Sequence, residues 1–477
     1  MLPQQSRPTL PRALLLHPRM TTVAAAEPAS RHTKSLSIPM LPSLFGAGAL
    51  DDKVDLLPLG SYCYRLKLFD SLTISFSPLI NLHRKSELFS IFRVLKNVCS
   101  KETEERIQEE VMRPFQHRAG RKAHVTLHTM QARPSATLGP YPTLMRSIFG
   151  QLYLQLHRST NDTFHASPIF TVKLAGFGST DAGGPYRDVL SQLASEIMTP
   201  HPGKAFQLNP LFMQMGNEED SAVVMPNVKM LESSQTPLML EFFGKLLASF
   251  FVTNDLLAVE FPPLFWKLLL GEHCSKADIC ALDTRLLTDL DPMHLLERSA
   301  EEMEERFPGI GETWSTIVAE NPHLSFGGVH FPPATAEGAE LLIARVLETE
   351  VGRFRDVVSY IHSGFDQVVP LYTLQAFRWQ KVELLICGSR RLSFEAFRSE
   401  CDIQLPSDDC AMFLSVLETM TDEDRTLLLR FITGQSRLPL KSRIKVQHSG
   451  NKNTLPTSST CLFYGGGCRP YSVGSRR

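Results

Sequence analysis

Two stretches of this chain carry apolar side chains on every side of a helix. They are "LMLEFFGKLLASFF" (238–251) and "PLFWKLLL" (263–270). A helix with no polar face is stable in water only inside a large core, so these two segments fix the scale of the fold. The composition can supply such a core: 43% of the 477 residues are hydrophobic and 21% are charged. That length allows roughly two to four domains. No run reaches 18 consecutive apolar residues, so no membrane-spanning helix is expected. "RALLLHPRM" near the start is too short in its apolar part for a secretory signal. The net charge of −1 gives no global field that would gather nucleic acid or an anionic membrane.

The remaining pattern is helix-dominated with short strands, which reads as an α+β layout. Residues 1–53, rich in Pro, Ser and Arg at their start, read as a disordered tail. Residues 54–120 read as a helical upstream region, ending in the charged helix "KETEERIQEEVMRPF". "PSATLGPYP" (134–142) reads as a connector, "TLMRSIFGQLYLQL" as one amphipathic helix and "IFTVKLAGFG" as a strand. Farther on, residues 338–365 form a long amphipathic pattern with Leu342, Val346, Phe354, Val358 and Ile361 on one side. "MTDEDRTLLLRFITG" opens with the Thr421–Asp424 capping pattern and closes at Gly434.

Nine cysteines at irregular spacing argue against a disulfide framework and place the chain in a reducing compartment. None has zinc-site spacing, so neither a metal nor a cofactor is expected. "DAGGP" (181–185) lacks the Lys-Ser/Thr of a phosphate-binding loop and reads as a tight turn into a helix. His448 reads as a solvated histidine.

Four segments occur in a telling order: "STDAGGPYRDVL" (179–190), "VELLICGSRRLSFEAF" (382–397), "RFITGQSRLP" (430–439) and "LPTSSTC" (455–461). Together they resemble the HECT-type ubiquitin ligases, and "LPTSSTCLF" is most similar to the large HERC branch. The resemblance implies a bilobal α+β fold. A mostly helical N-lobe with short strands would span 121–400, and a small α/β C-lobe with its hinge would span 401–477. The hinge would be "SECDIQLPSDD" (399–409), and a subdomain near 272–335 would dock a ubiquitin-conjugating enzyme. Within that subdomain Leu290, Leu295, Leu296 and Trp314 are the expected apolar anchors.

The resemblance further implies a ubiquitin ligase working by covalent catalysis. Cys461 would accept ubiquitin from the conjugating enzyme as a thioester and pass it to lysines of a protein substrate. Thr460 would position it. Independently of any family, a cysteine behind several hydroxyl groups on a loop has donors that can favour a thiolate. The expected location is the cytoplasm, with the nucleus open as well.

Beyond Cys461 the sequence departs from the pattern. "YGGGCRPYSVGSRR" puts glycines and arginines where the family has an apolar strand, and no final helix follows. The expectation is an incomplete C-lobe with an open sheet edge. An alternative reading is therefore an impaired relative that binds a conjugating enzyme or ubiquitin without transfer.

Overall fold

A computed structural model describes residues 59–76, 90, 93–94, 96–116, 120–132, 140–176, 184–198, 209–215, 223–253, 255–282, 291, 295, 298–324, 331, 333, 335–390, 392–438, 444–448, 457–459 and 471–475. At 59, 448, 457–459 and 471–475 it describes the backbone alone. The expected tail, 1–53, lies outside these residues. The chain separates into two units, Met1–Ser71 and Leu72–Arg477. The described part of the first is the start of helix α1 (Leu59–Phe76). The second holds both cores of the protein.

The main helices after α1 are α2 (Lys101–Gln116), α3 (Ile148–Leu156), α4 (Gly184–Met198), α5 (Thr236–Thr253), α6 (Pro263–Leu270), α7 (Ala300–Arg306), α8 (Ile310–Glu320), α9 (Ala336–Val368), α10 (Trp379–Cys387), α11 (Ser407–Thr419) and α12 (Asp422–Thr433). Two small sheets accompany the first ten: β1 (Ala123–Leu127) runs parallel to β2 (Phe170–Leu174), and β3 (Phe212–Met215) runs antiparallel to β4 (Val223–Pro226).

Helix α5 is the centre of the larger core. By length and composition it could cross a membrane, yet 13 of its 18 residues are buried in protein. Its main neighbour is α9. Glycine makes that crossing close: a Cβ on Gly244 would stand 2.0 Å from the Ile361 carbonyl oxygen, and one on Gly364 would stand 1.8 Å from that of Glu241. Around the crossing, aromatic rings pack edge to face or stacked. Phe212 meets Phe243 at 4.8 Å, Phe261 meets Phe265 at 4.1 Å, and Trp266 meets Phe265 at 5.1 Å between centroids. Such pairs contribute about 0.5–1.5 kcal/mol each beyond area burial.

The single helix expected over "TLMRSIFGQLYLQL" is interrupted at Ser147, and Pro140–Tyr141–Pro142, expected as connector, begin the short helix Pro140–Arg146. Ser147 donates to the Leu144 carbonyl at 2.6 Å, accepts from the Gly150 N–H at 2.9 Å and caps α3. A buried carboxylate completes the cap: Glu196 of α4 accepts from the N–H groups of Ile148 at 2.7 Å and Phe149 at 3.1 Å. Burial pushes the Glu196 carboxyl up to about 7, against those two hydrogen bonds.

A second, smaller core begins at Leu392. It joins Leu392, Phe397, Leu417, Leu429, Ile432, Leu438, Ile444 and Val446. Over it lies a four-stranded sheet in the order β5-β6-β8-β7, with β5 (Cys401–Gln404), β6 (Ile444–His448), β7 (Thr457–Ser459) and β8 (Tyr471–Ser475). β5 and β6 are parallel, joined through α11 and α12. The Thr421–Asp424 capping box and the left-handed Gly434 bound α12 as the sequence implies.

Two details differ from the sequence reading. The segment 399–409, expected as the hinge, is not irregular throughout, since Cys401–Gln404 pair with Ile444–Gln447 and Ser407 starts α11. Strand formation there follows from Cys401 and Ile403, whose side chains pack on the small core. Nor is a strand lost after Cys461. Tyr471–Ser475 forms β8, parallel to β6 and antiparallel to β7, so the edges are β5 and β7. The alternation Tyr471-Ser-Val-Gly-Ser475 contains enough strand-forming residues once pairing is available on both sides.

Candidate active site

Three of the four segments singled out in the sequence meet at one seam, where α4 and the loop before α6 face the smaller core. Arg187 on α4 donates to the Thr433 carbonyl at 3.1 Å, and Ser191 one turn later donates to the Gly434 carbonyl at 3.0 Å. These are carbonyls freed at the C-terminus of α12, and a guanidinium there also matches the helix dipole. "RFITGQSRLP" continues to Arg437, whose side chain is only 8% exposed. Arg437 donates to Glu260 Oε1 at 2.9 Å and to the Cys387 carbonyl at 3.4 Å. "VELLICGSRR" enters through Gly388, held at φ +73°. A Cβ there would stand 2.8 Å from Leu256 and 3.1 Å from Arg437 Cβ, so both space and backbone demand glycine.

Behind the seam, Tyr186 donates to Asp255 Oδ2 at 2.7 Å, and Thr253 donates to the same oxygen at 3.0 Å. Burial raises the Asp255 carboxyl, which those hydrogen bonds oppose. Burial, followed by the Asp255 charge, holds the Tyr186 phenol well above its ordinary range. The pair is therefore a fixed neutral-donor contact between α4 and the end of α5 rather than an acid–base couple for neutral pH.

The fourth segment supplies edge strand β7, which lies against α12 and pairs with β8 through Thr457–Gly474, Ser458–Val473 and Ser459–Ser472. Thr460 and Cys461 follow directly in sequence and lie outside the described residues. Other cysteines can be judged. Burial pushes the thiol of Cys387 up to about 12, and burial followed by Glu400 does the same for Cys401. Burial also raises Cys274. None of these three is a thiolate near neutral pH. Among the described residues no group of three or more His, Cys, Asp or Glu could hold a metal.

The expected docking anchors look different in place. Trp314 is 2% exposed and Leu295 is fully buried, and Met303, Ile310 and Ile317 of the same region are buried as well. Trp314 lies against the first turn of α9, where a Cβ on Gly338 would stand 2.8 Å from its ring. Trp314 closes α8 on α9, and Phe307, buried at the end of α7, lies between α7 and α8. Leu295 and Trp314 are not exposed anchors. Leu290 and Leu296 lie outside the described residues.

Glu260 and Arg437 were not picked out by sequence reasoning. A signal exists for the first: Glu260 is the one charged residue in "LLAVEFPPLFW" (256–266), and a lone acid in an apolar run needs a partner. Nothing local identifies that partner, since Arg437 comes 177 residues later.

The pattern of the HECT-domain (ubiquitin-transferase) family matches residues 192–464. The chain is 23% identical over 359 residues to the mouse (Mus musculus) E3 ubiquitin-protein ligase HERC2, covering 71% of this chain and 7% of the relative. It is 24% identical over 343 residues to mouse HUWE1, covering 66% of this chain and 7% of that ligase. Against the E3 ubiquitin-protein ligase HACE1 of Danio rerio it is 26% identical over 277 residues, covering 54% of this chain and 30% of the relative. The match thus spans only about 7% of the length of the first two relatives.

Proposed function

This chain belongs to the HECT-domain ubiquitin-transferase family, and from that premise we propose that it is a ubiquitin ligase whose acceptor is Cys461. The observation that carries the proposal is that the family match, 192–464, runs through Cys461 and ends three residues beyond it. Position supports it as well. Thr457–Ser459, shortly before Cys461 in sequence, form an edge strand, and Tyr471–Ser475 after it pair in the same sheet, which supports a folded lobe on both sides of this position.

In this reading the Cys461 thiolate attacks the carbonyl carbon of a thioester between ubiquitin and a conjugating enzyme. The new carbon–sulfur bond forms as the old one breaks, and the conjugating enzyme's sulfur leaves as a thiolate. A neutral substrate lysine then attacks the same carbon. Cys461 leaves as a thiolate, the amine gives up a proton, and an isopeptide bond remains. Thiolates are strong nucleophiles and good leaving groups, so one sulfur serves both steps. Thr460 is proposed to position it. Ubiquitin, a conjugating enzyme and a protein substrate are the partners this chemistry requires.

The test uses the full chain with ubiquitin, an activating enzyme and a panel of conjugating enzymes. A ubiquitin adduct that a thiol reductant removes, and that Cys461→Ala abolishes, is the expected result. A folded sample that forms no adduct with any conjugating enzyme would sink the proposal.

A further inference from the structure

The seam between the larger core and the smaller one differs in kind from either core. Its contacts are polar: Arg187 and Ser191 to two helix-end carbonyls, and Arg437 to Glu260 and to the Cys387 carbonyl. It is also loosely filled. A cleft of about 160 Å³ lies between Gly184, Arg187, Asp188, Ser191, Arg430 and Gly434. Nearby, buried Gln435 has no protein hydrogen-bond partner for its Oε1 and lines a smaller void beside Leu190 and Leu256. A permanent interface is close-packed and fully paired, as protein interiors are. This one is neither.

Within the seam one side chain has a special place. Two segments of the chain run along the seam. The one after α10, carrying Arg390, is where the chain passes from the larger core to the smaller, and the one between α12 and β6, carrying Arg437, touches the larger core. Glu260 reaches both. Its Oε1 takes Arg437 at 2.9 Å, and its Oε2 lies 3.8 Å from Arg390 Nη1. Arg390 is braced by Glu383 and by the Phe261 carbonyl at 2.7 Å. Glu260 is about one-third exposed, so water and salt can reach it, whereas Arg437 is almost fully covered. We propose that Glu260 is a positioning residue, a salt-sensitive latch that joins Arg390 and Arg437 and holds the smaller core in the observed arrangement against α4 and α10.

The contacts themselves are independent of the assigned chemistry. The consequence for transfer rests on the reading of Cys461 as acceptor, since the latch would set where the sheet bearing that cysteine stands. A charge pair open to solvent weakens when the screening length falls from about 10 Å at 0.1 M salt to about 3 Å at 1 M. Local opening then exposes the backbone that the latch holds, while the cores stay closed.

Hydrogen–deuterium exchange by mass spectrometry on the full chain, wild type against Glu260→Gln and Glu260→Ala, reads this directly. In both variants amides of 388–390 and 434–438 should exchange at least about tenfold faster. Helix α5 and the inner turns of α12 should be unchanged. Raising salt from 0.1 to 1 M should bring wild type toward the variants and leave the variants where they are. Unchanged exchange in both segments for both variants overturns the proposal. So does acceleration that includes α5, because Glu260 would then be a support of the whole fold. Ubiquitin loading is measured alongside: faster seam exchange with no adduct in any sample keeps the latch and removes the Cys461 reading, and the converse does the opposite.

Discussion

At the scale of single residues, burial decides more than charge. Glu196 is 7% exposed and caps α3 with both oxygens, yet its carboxyl is raised from 4.5 to about 7 because the low-dielectric surroundings penalise the anion. A folded-state value above the unfolded one means the folded protein holds the proton more tightly. The stabilisation is complete below about 4.5 and is lost as pH rises through about 7. Over that window the loss is at most about 3 kcal/mol. Glu196→Gln keeps the shape and removes the titration. Urea unfolding at pH 5 and pH 8 should show wild type losing more stability than the variant, and equal losses would contradict the assignment. The same physics sets apart the thiols. Cys387 and Cys401 are driven to about 12 by burial, so neither competes as a nucleophile near neutral pH.

At the scale of elements, the α5–α9 crossing rests on glycine. Gly364→Ala drives a methyl to 1.8 Å from the Glu241 carbonyl oxygen. Backbone must shift, and overpacking of this kind costs about 1–3 kcal/mol, more than the gain of about 1 kcal/mol from replacing glycine in a helix. Gly352 on the same helix is open: a methyl added there would meet nothing within 4 Å, so Gly352→Ala should gain about 0.4–1 kcal/mol. Opposite signs in one helix, read by denaturant midpoints, are the expected result, and two changes of like sign would refute it. What could be read from sequence at this scale was largely periodicity and caps: α5, α6, α9 and the Thr421–Asp424 box were legible because neighbours along the chain carry the signal. The break at Ser147 was not. It depends on Glu196, 48 residues away, satisfying the N–H of Ile148. Strand Cys401–Gln404 read as a connector for a similar reason: its partner, Ile444–Gln447, is remote in sequence.

At the scale of the whole molecule, two cores of unequal size meet at a polar seam, and the order of four short segments was enough to anticipate the division. Its position was not legible. The smaller core starts at Leu392, within a segment that sequence alone assigned to the larger lobe. Burial likewise reversed the reading of Leu295 and Trp314, because amphipathic spacing gives a face but not which body covers it. The closing strand is the strongest whole-molecule claim about stability. β8 pairs with β6 over five residues and with β7 over three, so removing residues 471–477 takes away an inner strand of the sheet. The shortened chain should lose the cooperative unfolding of the smaller core while the transition of the larger one persists. A calorimetric trace with both transitions intact would contradict the sheet order.

Those lines converge on one sulfur, and a trapped intermediate reads it most directly. Cys461→Ser replaces the thioester with an ester that thiol reductants leave intact. Incubated with charged conjugating enzyme and digested, this variant should yield a peptide bearing the ubiquitin C-terminus at residue 461, in a linkage that alkali removes. The same peptide found unmodified, with ubiquitin on another residue or on none, would contradict the account.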